Sequence, residues 1–176
     1  MPVTINGTSG LVTATSYAGA GGDLTGITTG KVLQYKVANK TDQSSITGTT
    51  PTQIPSFSVT ITPTASNSTM IVRASCFYSM DTGNVTCSRI YNGTSFLISP
   101  SSFPSPANQN GSSNIYTTQQ FMMQQEFMAY ETAGNTNART YSVYWNVTGG
   151  TGYINRWGGY SGYHSVSTLE VIEVAA

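Results

Sequence analysis

Charge is scarce in this sequence. Lysine and arginine total seven and aspartate and glutamate seven, so charged side chains make up 8% of 176 residues, against roughly a quarter in an ordinary soluble domain. The two signs cancel, which argues against electrostatic capture of nucleic acid or of an anionic membrane. Histidine occurs once, at His164, so His-pair metal sites and most acid–base schemes lack a component. The two cysteines, Cys76 and Cys87, match no zinc spacing, and no GxSxG, GxGxxG or P-loop pattern is present. Asp23, Asp42, Asp81, Glu126, Glu131, Glu170 and Glu173 are too scattered to nominate a glycosidase pair. Glu170 and Glu173 fall on opposite faces of one expected strand. No apolar run approaches the ~20 residues of a membrane-spanning helix, and Met1-Pro-Val-Thr has neither the basic nor the apolar region of a secretory signal. These absences predict a protein that is not an enzyme, needs no cofactor or metal ion, binds no nucleic acid and inserts into no membrane.

Thr, Ser, Asn, Gln and Gly stand where charges usually do. So few charges suit a free monomer poorly, and they suit subunits packed against neighbours. The 11% aromatic content and the β-branched runs argue against disorder. The length is that of one domain, enough to bury roughly two-thirds of its unfolded surface. Seven Asn-X-Ser/Thr sequons (Asn6, Asn39, Asn67, Asn84, Asn92, Asn110, Asn146) follow from the composition and, without a secretory route, are not expected to carry sugar.

The stretch from Phe57 to Met80 organises the rest. Phe57, Val59 and Ile61 alternate with polar residues, as do Met70, Val72, Ala74, Cys76 and Tyr78 with Ile71, Arg73, Ser75 and Phe77. Period-two alternation of this kind predicts half-buried strands, here an antiparallel pair joined by the polar linker Pro63–Thr69. Cys76 and Cys87 flank a turn near Asp81–Gly83 and are expected as cross-strand neighbours, with two thiols favoured over a disulfide. Further strands are predicted at Lys31–Ala38, Val85–Tyr91, Ser95–Ile98, Arg139–Val147, Tyr153–Arg156 and Ser165–Val174. Asn92-Gly93 supplies a tight turn, and Pro100, Pro104 and Pro106 make Ser99–Asn114 a loop. Thr117–Glu131 has helix-forming residues, with Met123, Phe127 and Tyr130 at helical spacing. The strand reading is preferred, because strands surround the segment and no helix cap precedes it. Both of its faces are partly apolar, as in a strand covered on both sides. Eight or nine short strands predict an all-β chain, an antiparallel β-sandwich or jelly roll over residues 31–176.

Residues 1–30 form a distinct arm, broken by Gly7, Gly10, Gly19, Gly21, Gly22, Gly26 and Gly30. Such a segment cannot make its own core. Its apolar pegs Val3, Ile5, Leu11, Val12, Tyr17, Leu24 and Ile27 are expected to lie against a neighbouring subunit, or else to fold back on their own domain. The other candidate site is Gly149–His164. Tyr153, Trp157, Tyr160 and Tyr163 offer flat faces, with Asn155 and Arg156 as hydrogen-bond donors. Packing between subunits is the preferred role for these rings, and stacking on a host-surface glycan is the alternative. Arg156 stacked on a neighbouring ring would fit either.

Several segments together resemble a recurrent β-domain of tailed-phage virion proteins, found in tail fibres and in proteins that decorate the head. They are Gly30–Gln34, Ser58–Pro63 with Ser68–Val72, Arg89–Ser95, Tyr153–Arg156 and Leu169–Ala176. The arm is similar too, through Ala14–Gly19 and Gly22–Ile27. One departure is Asn92, where that family often carries a second arginine. The resemblance implies a virion structural protein assembled in the host cytoplasm, a homotrimer among other virion proteins, and most simply a capsid decoration or cement protein. A short tail fibre or fibre tip that binds a host glycan is the alternative. At 176 residues there is no room for an anchor and a long shaft, which favours the head.

Overall fold

The computed structural model describes residues 30–81, 84–97, 113–117, 121–158 and 160–176. The arm through residue 29 and the proline-rich stretch 98–112 lie outside them. Alternating side chains make seven long strands, most with one buried face, whereas β1 is largely exposed and β9 is buried on both sides. They are β1 (Val32–Lys40), β3 (Thr52–Ile61), β4 (Thr69–Met80), β5 (Asn84–Tyr91), β8 (Met123–Thr132), β9 (Arg139–Val147) and β13 (Ser167–Val174). Six short strands complete the set: β2 (Ser44–Ile46), β6 (Phe96–Leu97), β7 (Ser113–Thr117), β10 (Gly152–Ile154), β11 (Arg156–Trp157) and β12 (Tyr160–His164). The segment 123–132, open to a helical reading, is a strand.

Two antiparallel sheets face each other. The first runs β1-β13-β4-β8, with β10 and then β2 continuing beside the far end of β4. The second runs β3-β9-β5, with β6 and β7 sharing the last position. The pairing is nested: β1 with β13, β3 with β9, β4 with β8, and β5 with β6 and β7. A long hairpin rolled up in this way is a jelly roll, so the chain is all-β and antiparallel.

The nesting corrects two expectations. Phe57–Ile61 and Met70–Met80 do not pair with each other, because β3 belongs to the second sheet and β4 to the first. The linker between them crosses from sheet to sheet. For the same reason Cys76 and Cys87 are not cross-strand neighbours. Both are buried and unbridged, and burial pushes the Cys76 thiol up to about 12.

The inward faces behave as the alternation requires. Met70, Val72, Ala74, Cys76 and Tyr78 of β4 are fully buried against Phe57, Ile61, Tyr141 and Val143 of the second sheet. Tyr78 stacks on Trp145 with ring centroids 5.9 Å apart. Each such side chain contributes about 1.5–3 kcal/mol on burial. Side chains close both flanks of the sandwich. Gln34 Nε2 donates to Thr62 O at 2.7 Å and Lys36 Nζ to Thr60 O at 3.1 Å, so β1 satisfies carbonyls of the edge strand β3. Opposite, Asn92 Nδ2 donates to Glu131 Oε2 at 2.8 Å, and Tyr141 OH donates to Glu131 Oε1 at 2.7 Å. Asn92 also shapes its own turn, its Oδ1 accepting from the Thr94 and Ser95 amides beside Gly93 at φ +90°.

Candidate functional site

The candidate sites fall at the two ends of the first sheet. At one, the arm joins the sandwich: the Gly30 amide donates to Ala175 O at 3.1 Å and the Ala175 amide to Lys31 O at 2.8 Å. A hollow of about 330 Å³ opens there between Lys31, Leu33, Ala65, Asn67 and Ala176. Glu173, buried on β13, staples this corner. It accepts from Gln34 Nε2, from the Thr64 amide and from Thr64 Oγ1, each at 2.7 Å. Burial alone would raise its pKa, but the bonds from Thr64 and Gln34 outweigh that, and the carboxyl sits below its ordinary value. Glu170, three residues earlier, points out of the opposite face, as the alternation predicts.

At the other end lies the aromatic segment. Register fixes its place: Tyr153 is opposite Ser79, near the end of β4, whereas Val174 is opposite Thr69 at its start. The 12 residues of β4 therefore separate the arm's root from the aromatic segment by about 36 Å. Gly152 lets β10 approach closely, since a Cβ there would stand 2.6 Å from Val147 Cγ1.

Asn155 then turns the chain. Its φ of +58° is left-handed, a region that asparagine tolerates better than most residues. Its side chain is fully enclosed: Nδ2 donates to Lys40 O at 2.7 Å and to Asp42 O at 3.2 Å, and Oδ1 accepts from Ser167 Oγ at 2.6 Å. Asn155 is thus no surface donor, contrary to the sequence expectation. Its hydrogen-bonding groups are spent inside the domain, where they position the rings. Arg156 packs over Tyr153, 4.3 Å from the ring centroid, a contact that fits either role of the segment.

Trp157, Tyr160 and Tyr163 form a triangle with centroids 6.5, 5.3 and 5.7 Å apart. Tyr160 and Tyr163 are more than half exposed. Phe121 and Met122, ahead of β8, join Trp157 and Tyr163 around an apolar hollow of about 220 Å³. Sequence reasoning missed both, because only the pairing of β8 with β4 brings them there. It also missed Gln43, whose Nε2 donates to Ser161 O at 3.1 Å and lies 2.9 Å from His164 Nδ1. No local pattern marks Gln43. The arm's pegs Val3, Ile5, Leu11, Val12, Tyr17, Leu24 and Ile27 lie outside the described residues.

This end can stack on a flat apolar partner or ring, and it assembles no nucleophile with a base. Among the described residues no group of three or more His, Cys, Asp or Glu is placed to hold a metal ion, and no helix is long and apolar enough to cross a membrane.

No protein-family model matches the chain, and neither does any curated protein. Solved structures similar to it include the T=1 particles derived from infectious bursal virus, with 17% identity and a TM-score of 0.40 over 82% of this chain and 37% of that one. A second is the VP2 subviral particle of infectious bursal disease virus, with 16% identity and a TM-score of 0.38 over 82% and 38%. A third is the Gx strain of that virus, with 13% identity and a TM-score of 0.37 over the same shares. The chain spans well under half the length of these viral chains.

Proposed function

We propose that this chain is a structural protein of a bacteriophage virion, a decoration or cement protein whose arm binds neighbouring subunits and whose sandwich projects from the particle. One observation carries the reading: the arm's root and the aromatic segment lie at opposite ends of β4. An arm holding one end to a lattice leaves the other end outermost. The sparse charge and the resemblance to phage virion domains support the same role. Attachment would come from area burial, about 1.5–3 kcal/mol for each well-buried arm residue such as Ile5 or Leu11, offset in part by ordering its glycines. A homotrimer is the expected assembly, with other virion proteins as partners.

A second reading, a fibre tip that binds a host glycan, draws on the exposed rings of Tyr160 and Tyr163 beside Trp157. Quantitative mass spectrometry of purified virions separates the two. Copies in the hundreds mean the head lattice, a few trimers mean the tail, and absence from the particle overturns both. Deleting residues 2–28 is expected to abolish attachment. Full attachment of the truncated protein would show the arm assignment to be wrong.

A further inference from the structure

The outward face of the first sheet is as unusual as its inward face is ordinary. Register places Tyr35, Ile172, Ile71 and Tyr130 in one row across β1, β13, β4 and β8, from one margin of the sheet to the other. Tyr35 is 54% exposed and Tyr130 56%. The next row holds Val37, Glu170, Arg73 and Met128, and Val37 and Met128 are nearly half exposed. On the second sheet the outward positions of β3 and β9 include Ser58, Thr60, Thr140 and Ser142, and Tyr144 beyond them packs with Tyr91 and Phe96. The first sheet's outward face therefore carries a row of exposed apolar side chains from margin to margin, whereas the β3 edge of the second sheet's face is rich in hydroxyls.

The charges on the apolar face are already paired with each other. Arg73 Nη2 donates to both oxygens of Glu126 at 3.0 Å, Glu170 lies 3.9 Å from Arg73, and Tyr35 OH donates to Glu170 at 2.9 Å. A partner thus needs no complementary charge, only a flat apolar surface of similar extent. Sheets pack in this way on other sheets, and the chain carries such a surface itself. Four strands about 4.8 Å apart and ten residues long cover about 600 Å², so two copies bury on the order of 1,200 Å², the lower bound of stable interfaces. Tyr153, opposite Ser79 on the same outward face, extends it towards the aromatic segment.

We infer that this face is the contact between copies of the chain. A face that meets its own copy closes as a two-fold dimer, so this contact goes beyond the reading above and is distinct from the three-fold one expected of the homotrimer. It is tested in solution, away from any particle, so its failure and a failure of attachment remain distinct.

The full-length protein is weighed by analytical ultracentrifugation across a dilution series, beside Tyr35→Lys/Tyr130→Lys and, as a control, Thr60→Lys on the hydroxyl-rich face. Wild type and control are expected to be oligomers. The double variant should keep its circular dichroism and dissociate at least about tenfold more readily. Hydroxyl-radical footprinting of wild type supplies a readout that needs no variant: Met128 and Tyr130 should be protected at high concentration and oxidised on dilution. A protomer at every concentration, an oligomer indifferent to the two lysines, or protection that does not change on dilution would each overturn the inference.

Discussion

Asn155 shows how one side chain can govern a site without forming part of its surface. Its left-handed backbone and enclosed amide connect β10 to β11 and hold the loop after β1 against β13. Alanine there would take the side-chain donor from Lys40 O and the acceptor from the Ser167 hydroxyl, which keeps its bond from the Phe77 amide, and would keep a Cβ in a disfavoured conformation. A loss of about 2–4 kcal/mol in urea unfolding is expected. Glycine should cost less than alanine, since it removes the backbone penalty but not the hydrogen-bond loss. Equal costs would mean that the φ carries no weight. The sequence marked Asn155 as a surface donor of the aromatic segment, and the direction was wrong. Composition announces aromatic rings and amides, whereas direction is set by a turn that depends on Lys40, 115 residues away. Lys40 itself is buried, its Nζ held by Asp42 and by Pro55 O, which no local pattern announces.

At the level of elements, alternation told which residues of β3, β4, β9 and β13 face inward, misled in β1, whose Tyr35 and Val37 are exposed, and was silent on which strands are neighbours. β1, β3, β4, β5, β9 and β13 were legible because period two survives in each of them. The pairing of β3 with β9, and not with β4, was not legible. The linker 63–68 has the composition of any polar turn, and only the closing of the core sends it across the sandwich. The short β10, β11 and β12 owe their existence to Gly152 and Asn155 more than to strand propensity.

Glu173 ties that linker to β13 and β1, and it makes the corner sensitive to acid. Its folded pKa lies below the ordinary 4.5, so its stabilisation is complete above that value and fades as pH falls through the folded one. The urea midpoint of wild type should therefore fall more between pH 7 and about pH 3 than that of Glu173→Gln, which is expected to be the weaker of the two at pH 7. Parallel pH profiles would show that the carboxylate contributes nothing in its ionised form.

At the scale of the whole molecule, the buried cluster among the described residues is drawn from Ile54 through Val171. On the proposed role of the arm, a protein beginning at Gly30 should fold by itself, with a melting temperature in dilute solution within about 2 °C of the full chain, a change of at most about 1 kcal/mol for a domain of this size. A drop of several degrees would instead mean that the arm packs on its own sandwich.

The nested pairing also returns the backbone to where it began, leaving Gly30 and Ala175 hydrogen-bonded side by side. Anything genetically joined after Ala176 would emerge beside Gly30 and share that end of the sandwich with the residues before it. A peptide spliced between Trp157 and Tyr160 would be carried at the opposite pole. A pair of labels placed at these two points would therefore report on the two ends of the domain separately.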